Sequence, residues 1–468
     1  MENSLQIINK NKGENRISII PDGIQVTTII IDQLRQDTDE IIYTNNNFFI
    51  YMDGYWQIKE EYMVMKFLQN YAQQIGYDEK YYKYHKKADD LLRQAKLDFY
   101  TQISTNRLAL NFQNGTYELD TMTFREHRKE DYLFYSLPYP YDAKADCPKW
   151  KAFIKEVLPQ EDLQTAIQEG LAYPLSGLHL EKIIYLFGSG RNGKSVTLEV
   201  ISSILGRENV SNVPLANITK NDGLSLQQMV NKLINISYEN SSKIFESSVF
   251  KSYISGEPLD VKELYKDTYT TTNYPQTIMA SNSMPQSDDY SEGYYRRFFF
   301  VPFNVTIPKE KVNPNLKEEL CEESSGILNW LLEGVIRMRK NKKFTYSPTI
   351  QALQNEFRIE SDNVSMFIEE NMYISSLKNK QLLSQLFIEF NTFLNDNGYR
   401  TMASRTFSQR LKSLGFKVER LSQNKTYVWI EKGSKKNEII AQESQIVENK
   451  LDSSEGESWF EDDPNCAF

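Results

Sequence analysis

Apolar positions along this chain change their period several times, and each change predicts an element. Phe48–Tyr51 and Tyr55–Ile58 flank Asp53-Gly54, a dipeptide suited to positive φ, and predict a tight hairpin. Helical spacing follows from about Lys59 to Gly76 and again, in a highly charged stretch, from about Glu79 to Ser104. Leu108–Phe112 and Thr116–Leu119 frame a second hairpin at Asn114-Gly115. Trp150, Phe153, Ile154 and Val157 share one helical face; Pro159 ends that helix, and a second short one runs on to Gly170. Residues 1–40 mix brief apolar runs, Ile17–Ile20 and Val26–Ile31, with turn residues and predict no definite element.

From Ile183 to about Phe303, strand-length apolar runs alternate with helical spacing, the pattern of a sheet sandwiched by helices. Helical spacing returns at Gly326–Leu332, and Lys340–Ser347 reads as a linker to a separate C-terminal unit. There Leu382, Leu383, Leu386, Phe387, Phe390, Phe393 and Leu394 mark one amphipathic helix. Ser404–Leu414 marks a second, capped by Ser404 and ended by Gly415. Phe416–Val418 and Tyr427–Ile430, joined through Asn424-Lys425, make a strand pair, so the unit has the outline of a winged helix. The last thirty or so residues are polar, acidic and without period, and disorder is expected there.

The densest chemistry lies at Gly188-Ser189-Gly190-Arg191-Asn192-Gly193-Lys194-Ser195, which fits the phosphate-binding loop G-x-x-x-x-G-K-[ST]. The strand-like run Ile183–Phe187 precedes it, and helical spacing follows it to Leu205 and stops at Gly206. Glycines let backbone N–H groups close around phosphate oxygens, and the helix start adds its positive dipole end. Lys194 would reach the β- and γ-phosphates of ATP, and the Ser195 hydroxyl would hold Mg²⁺.

Composition sets the surroundings of that chemistry. A chain of 468 residues has room for about three domains. Its 40% hydrophobic and 25% charged residues are those of a soluble globular protein. No run approaches the ~18 apolar residues that span a bilayer, and Met1–Gln6 lacks the features of a signal peptide. Cys147, Cys321 and Cys466 stand far apart, so neither a disulfide framework nor a zinc site is expected, and the reading is a reduced, cytoplasmic protein. Of the net charge of −9, residues 436–468 contribute −7, nine acidic residues against two basic. The remainder is close to neutral and does not argue against nucleic acid.

An ATPase also needs an acid near metal and water. The strand-like run Leu233–Tyr238 ends at Glu239, which could polarise the water or bind Mg²⁺. Thr277–Ala280 ends in Ser281-Asn282, and Asn282 could bond the γ-phosphate or the water, or could simply serve a turn. Arg296-Arg297 precede the run Phe298–Phe303; an arginine there could complete a neighbour's site. In this order the motifs resemble those of superfamily 3 helicases, AAA+ ring ATPases of viruses and mobile elements. More narrowly, the chain resembles the helicase part of the phage and plasmid primase–helicase family, with relatives in poxviruses. The matching residues are Gly188–Ser195 for Walker A, Ile236–Glu239 for Walker B, Ala280–Asn282 for motif C and Arg297 for the arginine finger. Leu110–Leu119, Cys147–Trp150, Gly326–Trp330 and Ser361–Phe367 extend the resemblance beyond the ATPase. Tyr238 stands where other ring ATPases carry a second acid, so the role of Glu239 stays open.

The resemblance implies a hairpin after Phe250–Pro258 that carries Lys262 and Lys266 into a central DNA channel; on a plain surface the two would be solvated charge. Arg405, Arg410 and Lys412, with Lys417 and Lys425 at the wing, could meet duplex DNA, in a segment (400–432) with eight basic and two acidic residues. The acidic tail, with Trp459-Phe460, suits either solubility or docking of a replication protein. The expected architecture is an α/β AAA+ P-loop core (179–345) with an α+β helicase-associated domain before it (41–178). A winged helix (346–435) and an acidic tail (436–468) follow it, and residues 1–40 stay unassigned. Segment 1–40 leaves no room for the primase domain that many relatives carry, so priming is not expected. The expected protein is an ATP-dependent replicative DNA helicase of a phage, plasmid or mobile element. It would act as a homohexameric ring, with 3′-to-5′ travel implied by the resemblance alone. Its rivals are an origin-binding initiator ATPase and a non-enzymatic DNA-binding regulator.

Overall fold

The computed structural model describes residues 23–433, apart from 104–105, 107, 221–222, 239–244, 246, 266, 283, 286–291, 400 and 422–424. The chain divides into two compact units, Met1–Gln354 and Asn355–Phe468.

The first unit begins with the helix Gly23–Asp37, in the stretch whose pattern predicts nothing definite. Thr27, Thr28 and Ile29–Ile31 are β-branched and hide the helical repeat, yet Val26, Ile30, Ile31 and Leu34 are buried on one side. Strands β1 (Ile41–Thr44), β2 (Asn47–Met52) and β3 (Tyr55–Lys59) form an antiparallel sheet. Both turns have positive φ at their two central residues, Asn45-Asn46 and Asp53-Gly54, matching the twist of the strands. Helices Glu61–Gln74 and His85–Asp98 close over this sheet, the latter much shorter than its charged stretch predicts. A second sheet holds β4 (Ala109–Phe112), β5 (Gly115–Glu118) and β6 (Thr123–Arg125). Phe112 faces Gly115, so Gln113-Asn114 make the turn, one residue earlier than the sequence suggests. Helices Pro148–Val157 and Glu161–Ala172 lead from there into the central sheet.

That sheet contains β7 (Ile183–Phe187), β8 (Val210–Ser211) and β9 (Ile234–Tyr238). An antiparallel hairpin follows, β10 (Leu259–Val261) with β11 (Tyr269–Thr271). Then β12 (Thr277–Ser281) and β13 (Phe298–Pro302) complete the sheet in the order β13-β7-β12-β9-β8. All its pairs are parallel. Helices cover such a sheet, which is why its strands read as unbroken apolar runs. Its core joins Ile184, Leu198, Ile278 and Val301 to Trp150 and Phe153 on one flanking helix and to Leu331 on the helix Ser324–Asn341. Among the described residues no helix is long and apolar enough to cross a membrane.

The second unit contains the helix Asn363–Glu370, β14 (Tyr373–Ser375), β15 (Gln381–Leu382), and the helices Leu383–Asp396 and Ser404–Ser413. Strands β16 (Val418–Arg420), β17 (Thr426–Val428) and β18 (Ile430–Lys432) follow. The sheets are β15-β17-β16 and β14-β18, over a core in which Phe390 stacks on Phe407 at 4.5 Å. Ser404 is not the cap its position suggests: Ala403 holds that place, without a side-chain bond, and Ser404 is already helical. The acidic tail lies outside the described residues.

Candidate nucleotide and nucleic-acid sites

The phosphate loop is built before any ligand arrives. Strand β7 hands the chain to Gly188, and the helix Lys194–Leu205 starts six residues later. Gly188 and Gly193 adopt positive φ in tight quarters. A Cβ on Gly188 would lie 2.2 Å from the Phe303 carbonyl oxygen, and one on Gly193 would lie 2.7 Å from Val157 Cγ1. Only glycine fits either place. The Asn192 amide donates to the Phe303 carbonyl at 2.8 Å, and the Ile307 N–H donates to the Arg191 carbonyl at 2.8 Å. The loop is therefore pinned to the chain leaving β13.

Lys194 is buried, 5% exposed, and its ammonium donates to the Gly188 carbonyl at 2.6 Å and to Asn192 Oδ1 at 3.1 Å. Burial holds its pKa below the ordinary lysine value. Two neutral oxygens only partly compensate a buried cation, and an anion in the loop would complete its shell. Ser189, Arg191 and Ser195 are exposed, Ser195 on the first turn of the helix. This glycine cradle, buried ammonium and helix start fit a nucleoside triphosphate, with Ser195 the described hydroxyl placed to hold Mg²⁺. Glu239, the expected acid, lies outside the described residues. Among the described residues no cluster of three or more His, Cys, Asp or Glu could hold a metal ion.

Strand register locates the other expected groups. Ser281 pairs with Phe187, so Asn282 follows β12 beside Gly188, and it is exposed. Tyr238 pairs with Ala280, which brings the end of β9 to the same edge. Arg297 is at the opposite edge: Phe298 pairs with Ile183, and the Ile183 N–H donates to the Arg297 carbonyl at 2.8 Å. Six positions at ~3.3 Å per residue separate it from its own phosphate loop, roughly 20 Å. Its Nη1 donates to the Gly293 carbonyl, while its Nε is buried without a hydrogen-bond partner among the described residues. Arg296 is exposed and pairs with Glu181 at 3.1 Å.

Lys262 is exposed just after β10, in a hairpin turn rather than on a helix; Lys266 lies outside the described residues. Tyr265, fully exposed with φ of 63°, caps the same turn. Sequence reading missed what holds this turn. The Asn46 amide of the β1–β2 turn donates to the Asp267 carbonyl at 2.8 Å, and the Lys262 N–H donates to the Gly223 carbonyl at 3.1 Å. In the second unit Arg405 and Lys412 are exposed on the helix Ser404–Ser413. Arg410 is held within the unit: its Nε donates to Asp362 Oδ2 at 2.6 Å, and Asp362 is fully buried. Position 410, three after Phe407 and one before Leu411, flanks the apolar stripe, so the guanidinium neutralises a buried carboxylate.

Comparison with known proteins adds three family matches, each covering under half of the chain. Residues 28–159 match the family described as D5 N terminal like, residues 186–297 a family of unknown function, and residues 359–455 the family described as Poxvirus D5 protein-like. "Putative helicase 121R" of Invertebrate iridescent virus 3 is 21% identical over 313 residues, 58% of this chain and 33% of that protein. "Putative helicase L207/L206" of Acanthamoeba polyphaga mimivirus is 23% identical over 234 residues, 47% of this chain and 24% of that protein. The chain thus spans between a quarter and a third of the length of these relatives. The solved apo structure of the NrS-1 C terminal region aligns over 88% of this chain and 99% of its own, at 13% identity and a TM-score of 0.50, a likeness of fold. Near both ends the chain is similar to D5-type proteins, and the viral relatives it resembles are named as helicases.

Proposed function

We propose that this chain is an ATP-driven DNA helicase motor of the superfamily 3, AAA+ type. The observation that carries the reading is the preformed loop with Lys194 buried beneath it, a cation held ready for an anion of triphosphate shape. Mg²⁺–ATP, once bound, supplies the phosphoryl group whose transfer to water releases the driving energy. The protein's part is positional. Lys194 exchanges the Gly188 carbonyl for phosphate oxygens, Ser195 and Glu239 serve the metal and the water, and Asn282 orients the water from the neighbouring strand.

Arg297 sits too far from its own loop to act there, which supports a ring in which it serves the next protomer's loop, six subunits in all. The strand order, with β7 flanked by β12 and β13, supports the AAA+ reading. In the same reading the β10–β11 turn, with Lys262, Tyr265 and Lys266, tracks one DNA strand, and travel is 3′-to-5′. The helix, strand, helix, helix and strand pair of the second unit support a winged helix that meets DNA through Arg405 and Lys412. ATP turnover and displacement of a long strand test the proposal together. Turnover is expected to rise with single-stranded DNA, and both are expected to vanish in Lys194→Ala; turnover that survives Lys194→Ala would overturn it.

A further inference from the structure

Val428 and Ile430 point into the core of the second unit. Side chains alternate along an extended chain, so Tyr427 and Trp429 project from the opposite face. Neither belongs to the Phe367, Phe390 and Phe407 cluster. Each carries lysine over its ring instead. Lys380 Nζ lies 5.0 Å from the Tyr427 ring centre and 5.9 Å from that of Trp429, and Lys417 Nζ lies 4.7 Å from that of Trp429. The backbone fixes Trp429: its N–H donates to the Lys417 carbonyl at 2.9 Å, and its carbonyl accepts the Ser376 N–H at 3.3 Å. Two acids share this face: Glu419, across from Tyr427, pairs with Lys417 at 3.2 Å, and Glu431, two residues after Trp429, accepts from the Ser376 hydroxyl at 3.0 Å.

Two rigid aromatics outside the core, each within reach of a mobile ammonium, match the chemistry of unpaired bases and their phosphates. The rings stand two residues apart, about 7 Å along the strand, wide enough for two splayed bases. A duplex offers neither ring an open base face, because its bases are already stacked. The surrounding segment, 400–432, has eight basic residues and two acidic ones, complementary to a phosphate chain. We propose that the outer face of β17–β18 binds single-stranded DNA. Tyr427 and Trp429 act as stacking platforms, and Lys380 and Lys417 swing from the rings to the phosphates. The inference rests on the helicase reading and extends it: this unit grips the unpaired strand on a face distinct from the Arg405 and Lys412 helix.

The test uses the full chain and an oligothymidylate bearing iodouracil. Irradiation followed by trypsin digestion is expected to label the peptide Thr426–Lys432, and an equal amount of duplex should compete poorly. Affinity is read by anisotropy in a Lys262→Ala background, so that the β10–β11 turn contributes less. There Trp429→Ala should weaken binding roughly tenfold or more, while Trp429→Phe keeps most of it. If Trp429→Ala unfolds, Tyr427→Ala and Lys380→Ala carry the same expectation. Labels confined to other peptides, or affinity unchanged by all three alanine variants, would overturn this inference alone. An unaltered chain that captures no oligonucleotide would overturn the helicase reading with it.

Discussion

The two edges of the five-stranded parallel sheet are built on opposite terms. At the carboxyl edge, Gly188, Asn192 and Lys194 bond one another and the Phe303 carbonyl, so the phosphate loop holds its shape within one chain. At the amino edge, Arg297 is tied to Gly293 by one nitrogen, and its Nε is buried without a partner among the described residues. Native proteins rarely leave a buried guanidinium nitrogen unpaired. One edge is held in shape by its own bonds; the other keeps a buried donor that the described residues do not satisfy. The contrast teaches that the same sheet can fix one set of polar groups through its own chain and leave another, at the opposite end, without a match among the described residues.

The largest way to break that contrast is Arg297→Ala. If the guanidinium is lent to a neighbour, turnover should fall ~10³–10⁵-fold, with ATP binding nearly unchanged. Arg297→Lys should not restore it, because a point charge cannot replace the planar fork. Asn282→Ala acts at the receiving edge and should lower kcat ~10²–10³-fold with little change in KM. Asn192→Ala removes the tie between the loop and Phe303, along with one Lys194 acceptor. It should cost about 1–3 kcal/mol in thermal stability and weaken ATP binding.

The pH dependence sharpens the same edge. Burial lowers the pKa of Lys194, so the ammonium is lost earlier than an ordinary lysine's as pH rises. ATP affinity, measured by calorimetry, should therefore decline on the alkaline side before the usual lysine range is reached. Bound phosphate favours the charged form and should push that decline upward. Arg296→Ala should do least, under about 1 kcal/mol and without effect on turnover, since the Glu181 pair is exposed.

How much of this was legible in the sequence depended on how local each signal is. The phosphate loop could be read because its glycines answer to nearby steric limits, the Phe303 carbonyl and Val157. Strands β7 and β13 could be read because a covered parallel sheet makes continuous apolar runs. The helix Gly23–Asp37 could not, because β-branched residues dominate its face. Strands β6, β14 and β15 have two or three residues each, too few to show a period. Partners distant in sequence were equally hidden. Nothing near Arg410 announces that it bonds Asp362, and nothing near Asn46 announces that it bonds Asp267. The edge that carries Arg297 follows from strand register, which the sequence does not state.

The most direct measurement mixes two inactive proteins, Lys194→Ala and Arg297→Ala, after each is checked for folding and assembly. A protomer with an intact phosphate loop then meets a neighbour with an intact Arg297. The account predicts that the mixture regains DNA-stimulated ATP turnover neither protein shows alone. Mixed assemblies that form and remain inactive at every ratio would contradict it.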